Sequence, residues 1–143
     1  MKINLKRTVA LALTLMLSLS IFMLPVYAEE ISKSKYFLTV ATSAGINVNA
    51  IEIHNSYTVS SGTGFTNAEM HTYVERKVLG LFWVKVDNGQ PDKTWVDTST
   101  SRAYAQVHSL VLPETGTYRA TVEYRFYGSS GSESITKQQT VTY

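Results

Sequence analysis

Residues 117–127 constrain the fold of this chain more than any other stretch. Ala120, Val122, Tyr124 and Phe126 alternate with Arg119, Thr121, Glu123, Arg125 and Tyr127. Successive side chains of an extended strand point to opposite faces, so a period of two puts an apolar row on one face and a polar row on the other. A helix would scatter both rows around its axis. The chain therefore holds at least one long strand with a buried face and a solvated face, as antiparallel sheets do.

The remainder reads as all-β. Beyond residue 28 there are 15 Thr and 12 Val but five Leu and one Met, with eight Tyr, four Phe and two Trp. β-branched and aromatic side chains suit a half-buried pleated surface. No convincing run after residue 29 carries apolar residues at i, i+3, i+4 and i+7. Turn signals recur at short intervals. Segment 36–42 reads as a first strand, ended by Ser43-Ala44-Gly45. Segment 46–54 is a second, with a phase change near Ala50-Ile51 that suggests a bulge. Segments 57–60, 69–78, 81–87, 94–96, 102–111, 117–127 and 134–142 follow. Ser61-Gly62-Thr63-Gly64, Asn88-Gly89 and Gly128-Ser129-Ser130-Gly131 mark turns between them. The expectation is one antiparallel β-sandwich domain of about seven to nine strands over residues 29–143.

Glu114-Thr115-Gly116-Thr117-Tyr118 leads into the clearest alternation. It resembles the acidic-x-Gly-x-Tyr tyrosine corner of immunoglobulin-like domains, whose Tyr hydrogen-bonds back across the corner between strands E and F. Such domains place a cysteine two residues after that Tyr; here the position is Ala120, and the chain has no cysteine. The resemblance implies an immunoglobulin-like sandwich without the disulfide, with Glu114, Gly116 and Tyr118 as structural residues. It implies no activity. The whole chain resembles small exported immunoglobulin-like proteins of Gram-positive bacteria that have no assigned function.

Residues 1–28 read as an address. Lys2, Lys6 and Arg7 precede an uncharged apolar stretch, 9–24, which is shorter than the ~20 residues a spanning helix needs. Pro25 ends it. Val26 and Ala28 stand at −3 and −1 of a cleavage site before Glu29. This predicts a secretory signal peptide cut after Ala28 and a secreted protein with no stable membrane anchor. With that segment removed, ten Lys and Arg face eleven Asp and Glu, a net charge of −1. Such a chain has no counterion-release drive toward nucleic acid. Without cysteine, it must be held by packing and sheet hydrogen bonds.

Several motifs have a plainer reading beside the functional one. Leu112-Pro113-Glu114-Thr115-Gly116 spells a sortase signal. An alternating, charged strand follows it instead of an apolar span and basic tail, so it reads as the turn before that strand. His54, His71 and His108 have no metal-binding spacing, although His71 and His108 can meet across a sheet. Zinc would need three or four ligands. Asp87, Asp92 and Asp97 lie on or beside one loop and suit calcium or, more simply, turn chemistry. Glu69, Glu75 and Glu123 offer a carboxylate pair for glycoside cleavage or a solvated strand face. No G-x-S-x-G elbow or cysteine nucleophile is present. Gly62-Thr63-Gly64 is too short to cradle phosphate. No enzyme and no cofactor is expected.

Segment 78–86 is the most informative for function. Phe82, Val84 and Val86 share one face, and Leu81 and Trp83 share the other with Lys85 and Asp87. A strand that buries one face does not need the second apolar row. Leu81 and Trp83 are therefore candidate partner contacts, Trp83 being a core residue on the alternative reading. Trp95 with Tyr104 and Tyr127 is a second aromatic set, suited to stacking on sugars or covering sheet edges. The leading expectation is a secreted, non-enzymatic binding module of the extracellular space or cell envelope, with a protein or glycan partner. The alternatives are a membrane-active β protein, with a hairpin over residues 72–86, and a small secreted hydrolase.

Overall fold

The computed structural model of the protein describes residues 36, 38–60 and 64–143. The expected signal peptide, residues 1–28 with cleavage after Ala28, lies outside them. Eight strands run among the described residues: β1 Leu38–Asn47, β2 Ala50–Val59, β3 Phe65–Val78, β4 Phe82–Lys85, β5 Trp95–Ser99, β6 Ala103–Val111, β7 Thr117–Gly128 and β8 Gly131–Thr142. The helical element among them is a 3₁₀ turn, Pro91–Lys93. Every pairing is antiparallel. One sheet has the order β1-β2-β6 and the other β4-β3-β7-β8. β3 gives one edge to β7 and the other to β5, over 68–72, and β4, over 75–78.

The inner faces pack together. Ile51, Ile53, Tyr57 and Val59 of β2 join Ala68, Met70 and Val74 of β3 and Tyr118, Ala120, Val122, Tyr124 and Phe126 of β7 in one core. Each large apolar side chain removed from water contributes roughly 1.5–3 kcal/mol. Polar links join the sheets as well. Asn55 Nδ2 donates to Thr72 Oγ1 at 2.9 Å inside the core. His108 Nε2 of β6 lies 2.7 Å from Asp97 Oδ2 of β5, and the Trp95 ring stacks on that imidazole at 4.7 Å.

The alternation over 117–127 becomes β7. The N-terminal half departs from the expected segmentation. Ser43-Ala44-Gly45 is not a turn: β1 continues through it, with Ala44 and Ile46 packed on the core and Gly45 facing out. The phase change near Ala50 is the hairpin between β1 and β2, turning at Val48 and Asn49, rather than a bulge. Segment 57–60 is no separate strand but the end of β2, because Asn55 is buried and keeps the inward period of Ile51, Ile53, Tyr57 and Val59 unbroken. β3 starts at Phe65 and carries the register shift, between Phe65 and Asn67. β8 starts at Gly131, so the turn before it is tighter than the four residues expected.

One end of the sandwich is closed by a crossing segment. Residues 112–116 carry the chain from β6 in one sheet to β7 in the other. Leu112 N bonds Asn49 O at 2.8 Å, tying the crossing to the β1–β2 turn. Gly116 and Tyr143 exchange two backbone hydrogen bonds, of 3.0 and 2.9 Å. Arg76, near the end of β3, pairs with Glu114. The β1–β2 turn, the crossing, the β3–β4 turn and the end of β8 therefore share this end. At the opposite end, the Tyr36 hydroxyl donates to Gly131 O at 2.7 Å, where β8 begins. β1 and β8 approach each other from there and run in the same direction.

Candidate functional site

The solvent face of the second sheet carries a continuous set of aromatic and charged side chains. The period of two sends Glu69, His71, Tyr73, Glu75 and Lys77 of β3 outward, beside Arg119, Thr121, Glu123, Arg125 and Tyr127 of β7. The β3–β4 register sets Trp83 opposite Lys77 and Lys85 opposite Glu75 on the same face. The Arg119 guanidinium lies 4.3 Å from the centre of the Trp83 ring, and Lys77 Nζ lies 5.7 Å from it. Arg119 is in turn held by Glu75, its Nε and Nη2 donating to Oε2 at 2.9 and 2.7 Å. Lys85 Nζ sits 4.1 Å over the Tyr73 ring and donates to Thr94 Oγ1 at 3.0 Å, pinning the loop before β5. Arg119 and Lys85 are each placed by two partners, so the aromatic rings are held as a fixed platform.

Around this centre the face is laced with pairs. His71 Nε2 meets Glu69 Oε2 at 2.9 Å, and the Tyr127 hydroxyl donates to the same oxygen at 3.3 Å. Arg125 binds Glu123 through both carboxylate oxygens, at 2.9 and 2.8 Å. That guanidinium holds the Glu123 carboxyl below the usual range and outweighs the cost of desolvation. An open cleft runs from His71 and Val96 to Gln90, Pro91, Asp92 and Thr94.

This geometry sorts the candidate residues. Trp83 is half-buried on the platform and is not part of the core cluster. Leu81, 75% exposed, lies in the β3–β4 turn away from the platform. Phe82 and Val84 face inward but, on β4 at the edge of the sheet, stay exposed. The aromatic set of Trp95, Tyr104 and Tyr127 is not one surface: Trp95 and Tyr104 pack against the core, and Tyr127 lies on the outer face. Tyr118 is fully buried, and its hydroxyl donates to Glu114 O at 2.5 Å across the crossing. At Gly116 an added Cβ would come 3.2 Å from Arg76 Nε.

His71 and His108 do not meet, because they lie on the outer face of one sheet and the inner face of the other. Among the described residues no group of three His, Asp or Glu is placed to hold a metal ion. Asp87 caps the backbone N–H of Gly89, and Asp97 is engaged by His108, so the three aspartates do not converge. Glu69 and Glu75 lie six residues apart on one strand, about 20 Å, too far to act together. Glu123, with its pKa lowered, is the reverse of the protonated acid that glycoside cleavage requires.

Two features were missed in the sequence. Tyr73 and Arg119 complete the platform, and their outward phase was readable once the register of β3 was known. The other is the apolar end of the sandwich. Leu79 and Gly80 both have positive φ, 53° and 69°, and Leu81 N closes the turn on Val78 O at 3.1 Å. Turns of this kind favour Asn-Gly. Val48 in the β1–β2 turn also has a left-handed φ, 57°. For residues with a bulky side chain this conformation costs roughly 1–2 kcal/mol. Val48 and Leu79 are nevertheless 87% and 84% exposed.

The chain matches no model of a known protein family, and no curated protein sequence matches it.

Proposed function

We propose that this chain is an exported, immunoglobulin-like β-sandwich that acts by binding at the cell envelope rather than by catalysis. The immunoglobulin-like reading is supported by the strand order. β1-β2-β6 opposite β3-β7-β8 corresponds to strands A-B-E opposite C-F-G of that fold, with Tyr118 where the corner tyrosine falls. The observation that carries the binding reading is the Trp83–Arg119–Glu75 stack, with Tyr73 under Lys85 beside it. A flat face that offers aromatic rings and fixed, planar hydrogen-bonding groups suits a glycan. The rings cover the apolar face of a sugar, and the guanidinium and carboxylates bond its hydroxyls. A spanning β-ribbon is disfavoured, because β4 has four residues where a transmembrane strand needs about 9–11.

The test is co-sedimentation of the protein with isolated, lipid-free cell-wall material. The wild type is expected in the pellet, and Trp83→Ala and Tyr73→Ala, each verified as folded, in the supernatant. A wild type that stays soluble, or variants that pellet equally well, would refute the reading. Export has its own test. Mass spectrometry of the culture medium is expected to find a chain beginning at Glu29, and retention in membranes with Met1 intact would refute it.

A further inference from the structure

Six of the eight large hydrophobic side chains exposed among the described residues belong to one end of the sandwich: Val48, Leu79, Leu81, Phe82, Val84 and Val111. We propose that this end docks onto a lipid surface, with the β3–β4 turn and Val48 entering the interfacial layer of a bilayer.

Shape argues for a lipid surface first. Arg76 is the last β3 residue paired with β7, and the hairpin runs on through Lys77 and Val78 to its turn. β7 and β8 run on to the pair of Thr117 and Thr142, so at about 3.3 Å per residue Leu79 stands roughly 7 Å beyond their last pair. Apolar faces of interfacial segments enter about 5–10 Å into the headgroup–acyl boundary. The end projects rather than forming a pocket, so it suits a soft surface that yields to it.

The order of residues along the hairpin argues second. Leu79, Leu81 and Phe82 come outermost. Trp83 follows, its ring against Arg119 and Lys77, and Lys85 comes after it. A bilayer presents the matching order: acyl chains, then the interface where Trp concentrates, then phosphates. Between 75 and 85 the hairpin holds Arg76, Lys77 and Lys85 against Glu75. Arg76 is paired with Glu114 and Arg119 with Glu75, and Glu52 accepts from Asn47 at 2.9 Å. Counting Arg119, four cations stand against three carboxylates, so an anionic surface meets a slight positive excess, carried by Lys77 and Lys85, behind an apolar tip. The left-handed backbone at Val48 and Leu79 points the same way, because residues that would relax those turns are replaced by aliphatic ones.

The inference does not depend on glycan binding: vesicles carry no glycan and lipid-free wall material no bilayer, so either reading can fail alone. Trp95→Phe leaves Trp83 as the sole tryptophan of the chain. Its fluorescence is read with vesicles of phosphatidylcholine and phosphatidylglycerol carrying brominated acyl chains. The expected result is a blue shift and bromine quenching, stronger with more phosphatidylglycerol. Leu81→Ser with Phe82→Ser should weaken vesicle binding by about ten-fold or more, whereas Val107→Ser, on the outer face of the other sheet, should not. If Trp95→Phe does not fold, the two-tryptophan protein gives the same contrast, since Trp95 is common to both sides. Absence of quenching would overturn the proposal. So would quenching unchanged in the tip variant, which would place the lipid contact elsewhere. A tip variant that only converts a dimer to a monomer would reassign the end to self-association.

Discussion

β7 and β4 lie on opposite edges of the same strand, β3, and both carry alternating apolar residues. Their fates differ. Tyr118, Ala120, Val122, Tyr124 and Phe126 of β7 are all 0% exposed, whereas Phe82 and Val84, on the same inward face of β4, are 61% and 50% exposed. The first sheet has three strands against the second's five, and it leaves β4, at the edge of the larger sheet, uncovered. A strand's apolar row is buried by what stands opposite, and an identical pattern without a facing sheet becomes surface. The hairpin is therefore a part of the domain whose apolar residues stability alone does not require.

The sharpest test of this contrast is Tyr118→Ala. Deleting a buried aromatic ring costs roughly 3–5 kcal/mol, and leaving Glu114 O without its donor adds about 1 kcal/mol. Thermal melting should show a large fall, and a melting point equal to wild type would break the comparison on its buried side. Trp83→Ala is expected to fall between core and surface, at about 1–2 kcal/mol, because half a ring and a guanidinium contact are lost. A loss as large as that of Tyr118 in denaturant unfolding would make Trp83 core and remove the platform.

Tyr124→Phe sharpens the comparison through pH. Burial pushes the Tyr124 hydroxyl above its ordinary value of 10.0, and the bond with Thr42 offsets this in part; Tyr57 is raised by burial as well. Above pH 10 the unfolded chain releases protons that the folded chain retains, so stability falls as pH rises. That contribution is complete below pH 10 and is lost on the way up to the folded pKa. At neutral pH the variant should lose about 1 kcal/mol with its hydroxyl bonds to Ala41 O and Thr42. In chemical unfolding above pH 10 its decline should be shallower than the wild type's, and parallel declines would contradict the assignment. The smallest expected effect has the opposite sign. Leu79→Asn should stabilise by about 0.5–1 kcal/mol by relaxing the left-handed turn. A loss of stability there would mean that Leu79 packs on something, and that the two regions differ less than their exposures indicate.

Legibility in the sequence followed the same divide. β7 was readable because each inward position is apolar and each outward one polar. β1 was not, because Thr42 and Ala44 serve as inward residues and Gly45 as an outward one, which flattens the alternation into what looks like a turn. β2 hid behind Asn55, a polar residue that the core accepts through Thr72. The true turn between these strands holds Val48 in a backbone that turn preferences assign to Gly or Asn. Of the platform, Trp83 was visible, while Leu81, singled out with it, lies away from it. Tyr73 and Arg119 depend on cross-strand register, which no single segment encodes.

The course of β1 and β8 has a mechanical consequence. Both start near the Tyr36–Gly131 contact and run toward the crossing at 112–116, so Leu38 and Thr142 lie at opposite ends of the sandwich. Tension applied between those two residues pulls along the strands. It loads the ladder of β1 on β2, and that of β8 on β7, in shear, so that many hydrogen bonds resist together instead of opening one at a time. The Gly116–Tyr143 pair adds a clasp where β8 ends. Pulled at Leu38 and Thr142, the domain would resist as a unit before it unravelled.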